Sequence, residues 1–378
     1  MAEHHVPAGA AGARNGWRQG LAATARAARS RPATNCKPRP QRSAALSAPH
    51  SPGRATAAAE NHESANAKPA SVTVAVVAIS GESQLERCLD ALSNQHDAPE
   101  FDIVIAAAPT LGDLRHARRR FPAVQIDIHE RATSPVDLAA KALARARGDV
   151  ILLTEDHCVP DGDWVKSLTR TIQRSGSAVG GAVDPLDLER MTSFDWAFYY
   201  VDFYRYQTPL TAGIADSLSV CNVAYRRANL ESLDEPWEAS FHETRIHTAL
   251  ARKGAPLWME PRARVQAGRR VFRGDALRER YSFGRYYGCR RIEPPHEGSR
   301  LRLLLASPLL PLLLVGRMAR ASARDDKRAR RFLRSLPDIA ALVLAWSLGE
   351  ALGYLTRREP ATMEAAPERD AAAPRAST

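Results

Sequence analysis

Val150-Ile-Leu-Leu-Thr-Glu-Asp-His-Cys-Val-Pro160 opens as a short apolar strand and runs straight into two carboxylates and an imidazole. An unbroken apolar run of this length is the mark of a strand buried in a parallel sheet, and open α/β sheets bind ligands just beyond the carboxyl ends of such strands. Glu155, Asp156 and His157 fall at that end. Held on a turn ahead of Pro160, they offer oxygen and nitrogen ligands suited to Mg²⁺ or Mn²⁺, and the cation could in turn hold a diphosphate. The plainer alternative is that Asp156 or Asp161 caps the helix that follows.

The segments before this stretch repeat its pattern. Val72–Ile79 reads as a buried strand, and Ser83 with Glu86 has the spacing of a capping box ahead of Leu85, Cys88, Leu89 and Leu92 on one helix face. Phe101–Ile105 is a second strand, the basic segment Arg115–Arg120 follows, and Val124–Ile128 is a third. A helix capped by Ser134, opened by Pro135 and ended by Gly148 carries Val136, Ala139, Ala140 and Leu143 inward. Strands alternating with helices at this spacing predict a parallel sheet with helices on both faces. Residues 150–153 are its fourth strand, covered by a helix over about Trp164–Gln173. Downstream, Val179–Val183 predicts a strand whose Gly180 and Gly181 admit a close approach to the backbone. Trp196, Phe198, Tyr199, Tyr200, Phe203, Tyr204 and Tyr206 are expected to pack a helix against the sheet, with stacking on sugars or bases as the alternative. A later helix begins near Ser240 and is stopped by Gly254.

Composition bounds the class. With 378 residues and 44% apolar content, the chain has room for one large domain or two small ones and folds without staples. Five cysteines, Cys36, Cys88, Cys158, Cys221 and Cys289, lack the paired spacing of a zinc site or disulfide framework and point to a reducing, cytosolic setting. The formal charge of +11 suits an anionic partner. Residues 1–70, rich in Ala, Arg, Pro and Ser, predict a disordered basic tail without a secretory signal. Because the basic residues gather there and beside apolar runs rather than on one folded face, nucleic acid is not the expected partner.

Over residues 72–292 the chain resembles an inverting glycosyltransferase of family 2 with the GT-A fold. Glu155-Asp-His-Cys-Val-Pro160 and Trp164 are similar to that family's Asp-x-Asp segment, with Glu155 and His157 at the aspartate positions. Cys221-Asn-Val-Ala-Tyr-Arg226 is similar to its Gly-Asn-x-x-x-Arg acceptor-side motif, with Cys in place of Gly. Phe241-His-Glu-Thr-Arg-Ile246, with Leu250 and Gly254, is similar to the segment that carries the catalytic base, which falls on Glu243. Leu277-Arg-Glu-Arg-Tyr-Ser-Phe-Gly-Arg285 resembles the basic-aromatic segment near the donor diphosphate, and Ala107 stands where the family's second strand usually ends in a base-holding aspartate.

The resemblance implies a mixed, mostly parallel sheet flanked by helices, and transfer of a sugar from a nucleotide-sugar donor to a lipid-linked or glycan hydroxyl with inversion. A catalytically inactive scaffold of the same fold is the alternative. It implies Glu243 as the base, His157 with Asp156 and Glu155 around a divalent metal (Mn²⁺ or Mg²⁺), Arg280 and Arg285 on the donor diphosphate, and Asn222 and Arg226 on the acceptor side. Plainer roles stand beside these: a hydrogen-bonded turn histidine, a solvated basic helix face, an asparagine in a strand-to-helix turn, and a capping box of Ser240 with Glu243.

The C-terminal region is of another kind. Leu303–Val315 is broken by Pro308 and Pro311, and Leu336–Leu355 carries Asp338 and Glu350. Neither is a clean membrane span, which needs about 20 apolar residues. Between them Arg317–Arg334 is strongly basic, and two spans would place it outside, against the positive-inside tendency. The expectation is a shallow hairpin or interfacial helices on an anionic membrane surface at the cytoplasmic face, with buried core helices as the alternative. The domain plan is therefore a disordered tail over 1–70, a catalytic domain over 71–292, membrane-associated helices over 293–358 and a disordered tail over 359–378. On that plan a chain ending near Pro294 is expected to be soluble.

Overall fold

The computed structural model describes residues 70–366 except 131–133, 177, 187, 189, 293–299, 362 and 364. The tail expected over 1–70 lies outside these apart from Ala70, as does most of the one expected over 359–378.

On the N-terminal side the alternation read from the sequence forms. β1 (Val72–Ala78), α1 (Glu82–Ser93), β2 (Phe101–Ala107), α2 (Arg115–Arg120), β3 (Gln125–Ile128), α3 (Pro135–Arg145) and β4 (Val150–Glu155) build a parallel block in the spatial order β3-β2-β1-β4. Val74, Val76 and Ala78 of β1 share a core with Leu85 and Leu89 of α1, while Ala75 and Val77 share one with Leu138 and Leu143 of α3. Successive side chains point to opposite faces, so one apolar strand supplies a helix on each. α3 starts as its sequence predicts, Ser134 Oγ accepting the Asp137 N–H at 3.1 Å with Pro135 in the first helical position. α1 does not start on a capping box. It begins at Glu82 after an uncapped Gly81, Ser83 turns to Gln84, and Glu86 is drawn to His116 and Arg120 of α2.

Past the central turn the strand directions mix. β5 (Cys158–Pro160), α4 (Trp164–Ser175), β6 (Ala178–Pro185), α5 (Ser193–Phe203), β7 (Gly213–Ala215), β8 (Asn222–Arg226), α6 (Arg227–Glu231), α7 (Glu243–Arg252) and β9 (Leu257–Ala267) continue the sheet as β4-β8-β6-β9-β5, with β7 on β9. β8 is antiparallel to β4 and β6, whereas β9 is parallel to β6. The register of β6 on β9 slips between Gly181 and Ala182, where a Cβ on Gly181 would overlap the Ala263 carbonyl oxygen. The close approach expected at these glycines is thus made by the protein's own strand.

The C-terminal helices are α8 (Arg273–Arg291), α9 (Arg300–Ala306), α10 (Leu310–Ser322) and α11 (Asp326–Thr356), and a further core joins α5 to α8, α10 and α11. Trp196, Phe198, Tyr199 and Tyr200 cluster with Tyr287 of α8, Leu314 and Met318 of α10, and Ile339, Leu342, Val343 and Trp346 of α11. The aromatic helix therefore packs chiefly on helices, where the sequence suggested the sheet. α8 and α11 meet backbone to backbone. A Cβ on Gly284 or Gly288 would overlap the Trp346 or Glu350 carbonyl, and one on Gly349 or Gly353 the Tyr281 or Arg285 carbonyl. Two small residues four apart on each helix open that approach. Glu350 is sealed in the seam, accepting from Trp346 Nε1 at 2.8 Å, from Arg291 Nη1 at 3.4 Å and from Tyr354 Oη. The interior therefore continues across residue 292. A chain ending near Pro294 would uncover the faces of α5 and α8 that α10 and α11 cover. By length and apolarity Arg300–Ser322 and Asp326–Thr356 are each able to cross a membrane, yet 50% of the apolar window of the second is buried inside the protein.

Candidate active site

β4 delivers Glu155 at its carboxyl end, and the next two residues divide their roles. Asp156 is fully buried, and its Oδ2 accepts the N–H groups of Ile79 at 2.9 Å and Ser80 at 2.7 Å. It fastens the β1–α1 loop instead of facing a ligand, which corrects its place in the expected metal set. Its other oxygen, Oδ1, has no hydrogen-bond partner and stands 3.7 Å from Nδ1 of His157, with Ser80 Oγ 3.5 Å from the same nitrogen. The other ring nitrogen, Nε2, lies 3.4 Å from Glu155 Oε2. Glu155 and His157 both line a cavity of about 430 Å³. A carboxylate oxygen beside an imidazole nitrogen, with a second carboxylate backing the ring, fits a divalent cation that takes its remaining ligands from a diphosphate and water. Among the described residues no group of three or more His, Cys, Asp or Glu forms a complete cage.

Glu243 opens α7 and lines the same cavity. Ser240 does not cap that helix, since the N-cap is His242 and Ser240 Oγ is 3.3 Å from Tyr286 Oη. Glu243 Oε2 instead accepts the Val220 N–H at 3.1 Å, which sets the carboxylate against the turn before β8. Beside it the His242 ring stacks on Tyr286 with centroids 5.5 Å apart. Both rings are cavity wall.

Arg280 also lines the cavity but is only 2% exposed. Its Nη1 donates to Asp202 at 2.7 Å and its Nη2 to Glu279, while Arg269 Nη2 donates to Glu279 at 3.0 Å. Both guanidiniums lie over the Phe198 ring, 5.4 Å and 5.2 Å from its centroid. Burial alone would raise the Glu279 carboxyl, but the Arg269 and Arg280 charges prevail and hold it down at about 2. Two cations face two anions, so the charge of Arg280 is already met within the wall.

Three expected residues lie off the cavity, and their placements are corrected. Arg285 donates through Nε to the Arg358 carbonyl at 3.0 Å, and its own backbone meets Gly349 and Gly353 of α11. Asn222 is fully buried, its Nδ2 donating to the Ala182 and Ala263 carbonyls at 2.7 Å and 2.8 Å and its Oδ1 accepting from Trp164 Nε1 at 2.8 Å. With both amide protons given to β6 and β9 and its oxygen held by Trp164 of α4, it is turned inward, away from an acceptor sugar. Arg226, at the far end of β8, donates to the Ile172 and Gln173 carbonyls at 3.1 Å and holds the end of α4. The sequence reading missed Arg269, Arg270 and Asp202, all on the cavity wall. The Arg269-Arg270 pair ahead of α8 was a usable signal. Nothing local marks Asp202 within its aromatic helix.

Residues 69–266 match the family model described as glycosyltransferase-like family 2. Among solved structures, the chain is similar to the mannosyltransferase PcManGT from Pyrobaculum calidifontis in complex with GDP-Man and Mn²⁺, at 17% identity and a TM-score of 0.48, over 75% of this chain and 87% of that one. It is also similar to S. aureus TarS 1-349 in complex with UDP-GlcNAc, at 13% identity and a TM-score of 0.42, over 74% and 90% of the two chains. No curated protein sequence matches.

Proposed function

Since this chain belongs to glycosyltransferase-like family 2, we propose that it transfers a sugar from a nucleotide-sugar donor to the hydroxyl of a lipid-linked or glycan acceptor, with inversion at the anomeric carbon. The observation that carries this is that Glu155 and His157, at the end of β4, and Glu243, at the start of α7, line one cavity. In a single displacement the acceptor oxygen bonds to the anomeric carbon while its proton passes to a Glu243 oxygen. The bond from that carbon to the diphosphate oxygen breaks with its electron pair. Glu155 and His157 would hold the divalent cation, Mn²⁺ or Mg²⁺, which when bound neutralises charge on the leaving diphosphate. Arg270 adds a cation on the cavity wall, and Phe198, Phe283, Tyr287 and Trp346 give that wall an apolar side that excludes water.

The same proposal extends to the C-terminal helices α9, α10 and α11. Leu301 and Leu305 of α9, Leu309 of the 3-10 turn Ser307–Leu309 and Leu312 of α10 are 66%, 71%, 66% and 74% exposed. Arg317, Arg320 and Arg324 follow them in the chain. Leucines beside arginines suit an anionic leaflet, and the proposed location is the cytoplasmic face.

The test is a panel of nucleotide sugars given to the full-length protein with Mn²⁺, with Glu243→Gln alongside. The variant keeps an oxygen for the Val220 N–H but cannot take the proton. Transfer is expected to fall at least about 10²-fold while melting temperature and donor binding hold. Transfer that survives the change would remove Glu243 as the base, and a wild type inert to every donor would leave the inactive scaffold.

A further inference from the structure

One end of the cavity carries chemistry that neither the proton transfer nor the metal uses. β1 sits between β2 and β4, and its two flanking helices, α1 and α3, pack on opposite faces of the sheet. The carboxyl end of such a strand opens into a crevice between the two helix starts, which is where doubly wound sheets receive nucleotides. Here the crevice has two unlike walls. Ser83, Gln84 and Arg87 of α1 form a polar one, and Pro135, Val136 and Ala139 of α3 form an aliphatic one, with Ile79 between them. A slot with one apolar wall and one hydrogen-bonding wall suits a flat heterocycle, its face on the aliphatic groups and its edge toward the polar ones.

The polar wall offers donors. Arg87 is exposed, and no described residue pairs with it by ion pair or hydrogen bond. Ser83 Oγ donates to Gln84 Oε1 at 2.8 Å, which occupies the amide oxygen and leaves the amide N–H groups. None of the seven residues lining this end carries a carboxylate. Ser83 Oγ, having given its proton to Gln84, can still accept, so the discriminating group of this wall is the Arg87 guanidinium. It fits an edge with two adjacent acceptors, and guanine presents O6 and N7 in the spacing that a guanidinium fork matches. Arg87 also lies a turn and a half into α1, roughly 8 Å along the axis from Glu82, so it stands back from Ser80 and His157, where the diphosphate would sit.

We infer that Arg87, assisted by Gln84, selects the nucleotide of the donor, and that the nucleotide is a guanosine diphosphate. The inference rests on the donor reading proposed above. Its test is calorimetric binding of GDP, UDP, ADP and CDP to the full-length protein in Mn²⁺, for the wild type and for Arg87→Met, which keeps the stem and removes the fork. GDP is expected to bind at least about tenfold tighter than the other three, and Arg87→Met to lose about tenfold for GDP while shifting the others little, the usual worth of one bidentate base contact. A uniform loss for all four nucleotides would make Arg87 a phosphate contact and overturn the inference, as would tighter binding of UDP or an unchanged GDP preference in the variant. Each of those outcomes leaves the transferase reading standing. If the wild type binds none of the four, the donor reading falls and this inference with it.

Discussion

The parallel block of β3, β2, β1 and β4 and the layer of α5, α8 and α11 are both well-packed interiors, yet different chemistry holds them. In the block, strand side chains alternate between two aliphatic cores, and the helices sit where that alternation sends them. In the layer, two helices close on each other through glycines, around Glu350 with Arg291 and beside Glu279 with Arg269 and Arg280. Apolar runs therefore mean different things in the two regions. A buried β-strand is covered on both sides as soon as its helices form. A leucine-rich helix is covered only where something meets it, and α11 buries Ile339, Leu342, Val343 and Trp346 while Leu344 and Leu348 stay exposed.

The largest effect should come from removing the layer. A chain ending at Pro294 loses every α11 contact to α5 and α8, and it is expected to aggregate or to show no near-ultraviolet circular dichroism. In the full chain, Gly288→Leu drives a side chain into the Glu350 backbone and should prevent the same docking. A monodisperse, cooperatively melting fragment would make the block self-sufficient and the layer an accessory.

Next in size is the buried charge. Glu279→Gln leaves Arg269 and Arg280 with one anion between them, and breaking a buried pair from one side costs about 3–5 kcal/mol. Glu86→Gln, which faces the half-exposed Arg120 and the exposed His116 in the block, should cost no more than about 1 kcal/mol. Urea unfolding of the two variants measures the contrast directly, and equal losses would erase it.

These differences also explain what could be read from sequence. The block was legible because β1, β2 and β4 are apolar runs that needed no partner to declare them, and because Ser134-Pro135 starts α3 with neighbours in the chain. The Glu155 and His157 positions followed from the strand that ends there, and Glu243 from its segment. The misplacements at the candidate site involve partners distant in the chain. Ser240 fitted a local box with Glu243 but bonds Tyr286, 46 residues on. Arg280 looked open on its helix but is tied to Asp202, 78 residues away. Asn222 and Arg226 formed a motif whose local spacing gave no warning that both side chains are consumed by neighbouring strands and helices.

A smaller effect is expected from acid, on the block side of the molecule. His247 on α7 is fully buried, its Nε2 is 2.8 Å from Tyr225 Oη, and desolvation pushes its pKa down to about 4. In the unfolded chain the same group takes its proton near pH 6.5, so between about 6.5 and 4 the unfolded state binds more protons and stability falls as pH is lowered. The loss from this residue is complete only below the folded value, at about 3 kcal/mol. His247→Gln should flatten the stability profile across that window. A profile that keeps its slope would assign the acid sensitivity to other groups.

The smallest change in stability should come from the exposed leucines, and it tests whether one helix layer serves two environments. Leu305 and Leu312 are 71% and 74% exposed, so Leu305→Ser with Leu312→Ser removes little from the interior and should move the unfolding free energy by no more than about 0.5 kcal/mol. Leu342→Ser, one helix away and wholly buried, should cost several times as much, because it leaves both a void and a hydroxyl among α5 and α8. If the exposed pair enters a leaflet, each leucine contributes roughly 1.5–3 kcal/mol to partitioning, so the double variant should bind anionic vesicles at least about tenfold more weakly while melting normally. Raising the salt should weaken both proteins' binding by screening the arginines, but leave the leucine difference intact. A double variant that melts early would put these leucines in the core. One that melts normally and still binds vesicles as tightly as the wild type would leave the arginines as the whole of the membrane contact.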